Sequence, residues 1–114
     1  MSGTCLFCRI VAGDIPATIV RRDDDFLAFA DIAPKAPVHL LVIPTRHVES
    51  IAGAAGLDER VRAAMPLFIA DVAREAGLDE GGFRVTTNHG PDARQSVFHL
   101  HWHVMGGAPL SESM

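Results

Sequence analysis

Phe98-His99-Leu100-His101-Trp102-His103-Val104-Met105-Gly106-Gly107 places three of the chain's six histidines within five residues. They alternate with Leu100, Trp102 and Val104. Period-two alternation is the pattern of a strand, whose side chains at i, i+2 and i+4 share one face. A strand over this stretch predicts a row of imidazoles spaced about 6.5 Å apart on one side, with a packed core on the other. Imidazole is the side chain best suited to nucleophilic, acid/base or metal-binding work near neutral pH. The competing reading, a surface strand with incidental histidines, leaves the apolar opposite face unexplained.

Working outward, the segments before this strand read as an α+β chain. Residues 5–12 fit a short helix with Phe7, Ile10 and Val11 on one side, stopped at Gly13. Ala17 to Arg22 and Phe26 to Asp31 read as strands joined by a solvated tip at Asp23-Asp24-Asp25. Val38 to Thr45 is apolar enough for a central strand, and Pro44 marks its end. A helical turn is expected from Ser50 to Ala55. A longer helix, capped by Asp58, runs to about Ala76 on a stripe of Val61, Met65, Phe68, Val72 and Ala76. Pro66 in its interior predicts a kink. Phe83 to Thr87 is a fourth strand, and Asn88 to Ser96 a polar loop leading to the histidines. Short connections favour antiparallel pairing.

The 114 residues suffice for one domain, 1–114, and 48% hydrophobic content marks a globular chain. A net charge of −4 without a basic run argues against a nucleic acid polymer as partner. No apolar run is long enough for a membrane span, and Met1 to Cys5 lacks the layout of a secretory signal, so the expected location is cytoplasmic.

Three groups of residues carry the chemistry. His101, central in the row, is a candidate nucleophile; attack on phosphorus needs donors for the phosphate oxygens, which Asn88, Gln95 and Ser96 in the preceding loop can offer. Cys5-x-x-Cys8 is half of a tetrahedral metal site, for which His47 and His99 are candidate partners. A redox pair and two buried bystanders are the alternatives. Asp31 reads as a turn residue that could also hold a sugar hydroxyl, and His89 as a solvent-exposed loop residue.

Together these residues resemble the histidine-triad (HIT) superfamily, whose pattern is met by His99-Leu100-His101-Trp102-His103-Val104-Met105. Val104-Met105-Gly106-Gly107 looks like the branch of histidine-triad nucleotide-binding proteins of bacterial type. Phe29 to His39, Leu41 to His47 and Gln95 to Phe98 are similar to family segments in the same order, so the likeness covers nearly the whole chain. The resemblance implies a five-stranded antiparallel sheet with a short N-terminal and one long helix, paired into a ten-stranded sheet in a homodimer. It implies a hydrolase that cleaves purine nucleoside phosphoramidates through a nucleotidyl-histidine on His101, with His39, His103 and Ser96 completing the catalytic group. Asp31 would hold the ribose. Asn88, Gln95 and Ser96 would contact the phosphate. Phe7, Ile10, Phe29 and Ile32 would wall the base pocket of an AMP- or GMP-type ligand. Zinc on Cys5, Cys8, His47 and His99 would be structural, with no cofactor required for catalysis.

The chain departs from the family pattern in places. His89 stands where an acidic residue is common, Arg94 adds a positive charge beside Gln95, and the few residues after Gly107 leave leaving-group choice open. His103, rather than Gln, argues against the nucleotidyltransferase branch. Dinucleoside polyphosphate hydrolysis and a nucleotide-binding interaction module are the alternative functions.

Overall fold

The computed structural model describes residues 5–112; the expectation about a secretory signal falls mainly on residues 1–4, outside the described residues. In chain order the elements are α1 (Leu6–Val11), β1 (Ile19–Arg22), β2 (Phe26–Ala30), β3 (Val38–Pro44), a 3₁₀ helix (Ile51–Gly56), α2 (Glu59–Glu75), β4 (Phe83–Thr86) and β5 (Trp102–Gly106). The strands form one antiparallel sheet in the order β1-β2-β3-β5-β4. The α+β, five-stranded expectation holds.

Both faces of the sheet centre are covered, which explains why β2 and residues 40–43 of β3 read as unbroken apolar runs. Phe26, Ala28, Leu40, Val42 and Val104 pack beneath Val61, Met65, Phe68, Ile69 and Val72 of α2. Leu27, Phe29, Leu41 and Ile43 pack against Phe7 and Ile10 of α1. The α2 stripe is buried as expected at Val61, Met65, Phe68 and Val72, while Ala76 is partly buried as the C-cap. Helix α2 runs through Pro66 as one element of 17 residues, and Gly77 leaves it at φ +79°, a left-handed exit natural to glycine. Asp58 occupies the N-cap position without a side-chain capping bond. Among the described residues no helix is long and apolar enough to cross a membrane.

The deciding stretch is corrected in one respect. The ladder begins at Trp102, so His99 and His101 precede the strand instead of lying in it. The reason lies in the neighbours. The β3–β5 register ends at Val42 opposite Trp102. Beyond it stands Pro44, which has no N–H to offer and whose carbonyl accepts from the His99 ring at 2.8 Å. On the other side, the Thr87 hydroxyl donates to the His101 carbonyl at 2.7 Å, where a ladder bond would have continued. The Leu100 N–H turns instead to the Val48 carbonyl at 2.7 Å. The alternation of faces survives. Leu100 and Val104 lie in the α2 core with Trp102 packed against it, its indole N–H on Met65 Sδ at 2.9 Å. His99 and His101 face the other way, onto the Phe7 ring.

Candidate functional site

Backbone groups decide where the rings of His99, His101 and His39 keep their protons, and His39 decides it for His103. A carbonyl oxygen can only accept, so the His101 Nδ1 that lies 2.8 Å from the His99 carbonyl carries a proton. In the neutral ring, Nε2 is then left as a lone pair. The Lys35 N–H donates to His39 Nδ1 at 2.9 Å, which puts the His39 proton on Nε2. That Nε2–H faces His103 Nδ1 at 2.9 Å and Asp31 Oδ2 at 3.4 Å. His103 therefore accepts at Nδ1 and carries its own proton on Nε2. The result is a directed chain from the Lys35 amide through His39 to His103, beside a His101 ring with a free lone pair. The His101 and His103 rings lie 5.1 Å apart.

Burial favours the neutral forms of His39 and His103. The His103 imidazole is pushed down to about 4, first by loss of solvent and then by the neighbouring rings of His101 and His39. His39, 6% exposed, is also lowered by burial, with the Asp31 carboxylate opposing the shift. By spacing, Asp31, His39 and His103 could hold a metal ion. The Lys35 amide argues otherwise, because it fixes a proton on the one His39 nitrogen that would have to bind the metal.

A second cluster meets the metal requirement. The ligand atoms of Cys5, Cys8, His47 and His99 all lie within 4.8 Å of one another. Cys5 Sγ to His99 Nδ1 is 3.3 Å, Cys8 Sγ to His47 Nδ1 and to His99 Nδ1 are both 3.4 Å, and the two Nδ1 atoms are 3.2 Å apart. Ligands of a tetrahedral zinc ion at its usual bond lengths stand roughly 3.3 to 3.8 Å apart. His99 donates from Nε2 to the Pro44 carbonyl, so its Nδ1 lone pair faces the sulfurs. Burial and the adjacent Cys5 push the Cys8 thiol up to about 11. Two thiolates here call for a cation between them. The helix start sets the spacing: Cys5 is the N-cap of α1, and its sulfur accepts the Cys8 N–H. The donor set thus fits a tetrahedral, thiophilic ion on residues the sequence singles out.

A cavity of about 330 Å³ adjoins the imidazoles. Phe7, Ile10, Phe29, Ile32, Asp31, Ser96, His101 and His103 line it. Ile32 is fully exposed at the rim. The Asp31 carboxylate has two tasks: Oδ1 accepts the Ala33 N–H at 2.8 Å, as a turn residue does, and Oδ2 meets His39. His39 sits behind His103 and does not line the cavity. Asn88 and Gln95 are turned away from the cavity. Asn88 Nδ2 donates to the Ala93 carbonyl, Gln95 Oε1 accepts the Gly90 N–H, and Gln95 Nε2 donates to the Glu49 and Val97 carbonyls. Ser96 is the residue of that loop that reaches the cavity.

Lys35, Thr87 and Ser50 belong to this framework without any mark in the sequence. Lys35 and Thr87 act through or upon backbone atoms, which no side-chain pattern discloses. Ser50 meets His89, 39 positions away, and only the fold shows the pairing.

Sheet, relay and triad define a histidine-triad domain, and comparison with known proteins bears this out. Residues 12–110 match the family model described as HIT domain. Protein HitA of Neisseria gonorrhoeae is 43% identical over 102 residues, covering 90% of this chain and 94% of the relative. A HIT family hydrolase from Legionella pneumophila superposes with a TM-score of 0.91 at 39% identity, over 96% of this chain and 98% of the other. A histidine triad nucleotide-binding protein from Candida albicans superposes with a TM-score of 0.81 at 25% identity, over 97% and 86%. The chain belongs to the HIT family.

Proposed function

We propose that this chain is a nucleotide-binding hydrolase of the histidine-triad nucleotide-binding branch, acting on purine nucleoside phosphoramidates. The observation that carries the reading is the proton arrangement of the triad: a lone pair on His101 Nε2 beside a donor on His103 Nε2. The family relationship, with hydrolases and a nucleotide-binding protein among the similar structures, supports it.

His101 Nε2 attacks the α-phosphorus and the P–N bond breaks; the amine leaves with a proton taken from solvent, and Ser96 holds a phosphate oxygen beside it. His103 Nε2–H donates to a phosphoryl oxygen as its charge grows, and His39 holds His103 in the donating form. Water then attacks the nucleotidyl-histidine, returning His101 and releasing the nucleoside monophosphate. Asp31 holds the ribose, and Phe7, Ile10, Phe29 and Ile32 enclose the base. Asn88 and Gln95 shape the phosphate side by holding loop 88–96 closed. Cys5, Cys8, His47 and His99 would hold a zinc ion, whose contribution would be to cross-link α1 to the segments before β5 and after β3. The exposed edge strand β4, with half-open Phe83 and Val85 beside the apolar groove of α2, supports pairing of two copies into a continuous sheet.

The test is release of AMP from adenosine 5′-phosphoramidate by the parent protein and by His101→Ala. Equal turnover by the two removes His101 as nucleophile.

A further inference from the structure

Loop 88–96 is anchored at several points. At its start, Thr87 is bonded to the His101 carbonyl, and at its end Ser96 enters the cavity. Its outer side is tied to the short segment that follows metal-cluster residue His47. Gln95 Nε2 donates to the Glu49 carbonyl at 2.7 Å, and the next residue, Ser50, meets His89 Nδ1 through its hydroxyl at 2.7 Å. Ser50 is 3% exposed and its oxygen already accepts the Ala52 N–H as cap of the 3₁₀ helix. The hydroxyl keeps its own proton and a second lone pair, so it bonds His89 Nδ1 in either tautomer of that ring. His89 itself is exposed, yet the Nδ1 edge of its ring is committed to a buried partner. The loop also carries a non-glycine residue with left-handed backbone, Arg94 at φ +60°, a conformation that needs outside support.

We propose that His89 is a positioning residue: its bond to Ser50 latches loop 88–96 in the form that presents Ser96 to the phosphate of the substrate. This rests on the phosphoramidase reading above and adds to it the residue that holds the anion-binding side in place. The loop has two side-chain tethers to the 49–50 segment, and the Gln95 tether ends on a backbone carbonyl. Removing the His89 tether leaves the loop hinged on Gln95 alone on that side. The imidazole relay is untouched, so substrate binding suffers more than the chemical step.

The experiment compares parent, His89→Ala, His89→Asn and His101→Ala by steady-state turnover of adenosine 5′-phosphoramidate, by AMP titration, and by tryptic cleavage after Arg94. His89→Ala is expected to raise KM and the AMP dissociation constant about fivefold or more with kcat within about twofold, and to speed cleavage after Arg94. His89→Asn, which can place an amide oxygen near the lost Nδ1, is expected to restore most of each. Parent-like KM, AMP affinity and cleavage in His89→Ala overturn the latch, as does an equal fall in kcat and kcat/KM. A parent protein inert toward the phosphoramidate sinks the hydrolase reading instead; unchanged AMP affinity and cleavage would then still reject the latch, and weakened affinity with faster cleavage would still uphold it.

Discussion

Two clusters of imidazoles lie side by side in this molecule, and the same ring atom does opposite things in them. In the Cys5–Cys8–His47–His99 cluster, a backbone acceptor, the Pro44 carbonyl, draws the His99 proton to Nε2 and leaves Nδ1 open toward the sulfurs. In the Asp31–His39–His103 cluster, a backbone donor, the Lys35 amide, occupies His39 Nδ1 and sends the proton to Nε2, between the two rings. Ligand counts and spacings alone would make both groups metal sites. One peptide group facing each ring separates a cluster open to a cation from one closed around a proton. His99 joins the two regions, since its ring faces the sulfurs while its carbonyl sets the His101 tautomer.

The sharpest way to break this contrast is His101→Ala, expected to cut phosphoramidate turnover by at least about 10³-fold, since nothing else in the triad offers a lone pair to phosphorus. His39→Ala is expected to cost about 10²-fold in kcat, the usual order for losing one oriented donor, because His103 loses the partner that fixes its proton. His103 should then show a mixture of ring tautomers by nitrogen NMR, where the parent shows one. Cys8→Ser acts on the other cluster: elemental analysis should fall from about one zinc per chain toward none, and the melting temperature should drop by about 10 °C, corresponding to ~2 kcal/mol. Equal zinc content in His39→Ala and parent would confirm that the relay holds no metal.

The smallest effect is on pH dependence. His39 and His103 both have folded-state values below the ordinary imidazole range, His103 at about 4. The unfolded chain therefore binds protons first as pH falls. Their contribution to stability is complete above about pH 6.5 and is lost as pH falls from there toward 4. Thermal unfolding of the parent between pH 7 and 4.5 should show this loss, and His103→Gln should flatten it.

Much of this was legible from residue order. Unbroken apolar runs at Phe26–Phe29 and Leu40–Ile43 announce strands covered on both faces, and the stripe from Val61 to Val72 announces the helix that covers one of them. The side-chain constituents of the cavity and of the cysteine–histidine cluster were legible too, because cysteines and histidines reveal themselves by type and spacing. What could not be read was whatever runs through the main chain. The late start of β5 depends on a proline in the neighbouring strand, and the turn of Gln95 away from the cavity on a carbonyl 46 positions away. The His89–Ser50 pairing joins two loops that only the fold brings together.

The Lys35 amide has a consequence for what this position can tolerate. Its side chain reaches back to the Ala33 carbonyl, and its charge is the least of the influences on the His39 and His103 imidazoles, so its size is nearly free to vary. Proline is the exception. A ring closed on that nitrogen would remove the hydrogen that keeps His39 in its one useful form. The pair of imidazoles with its carboxylate would then be at liberty to seize a divalent ion, turning a catalyst into a chelator by the loss of a single backbone hydrogen.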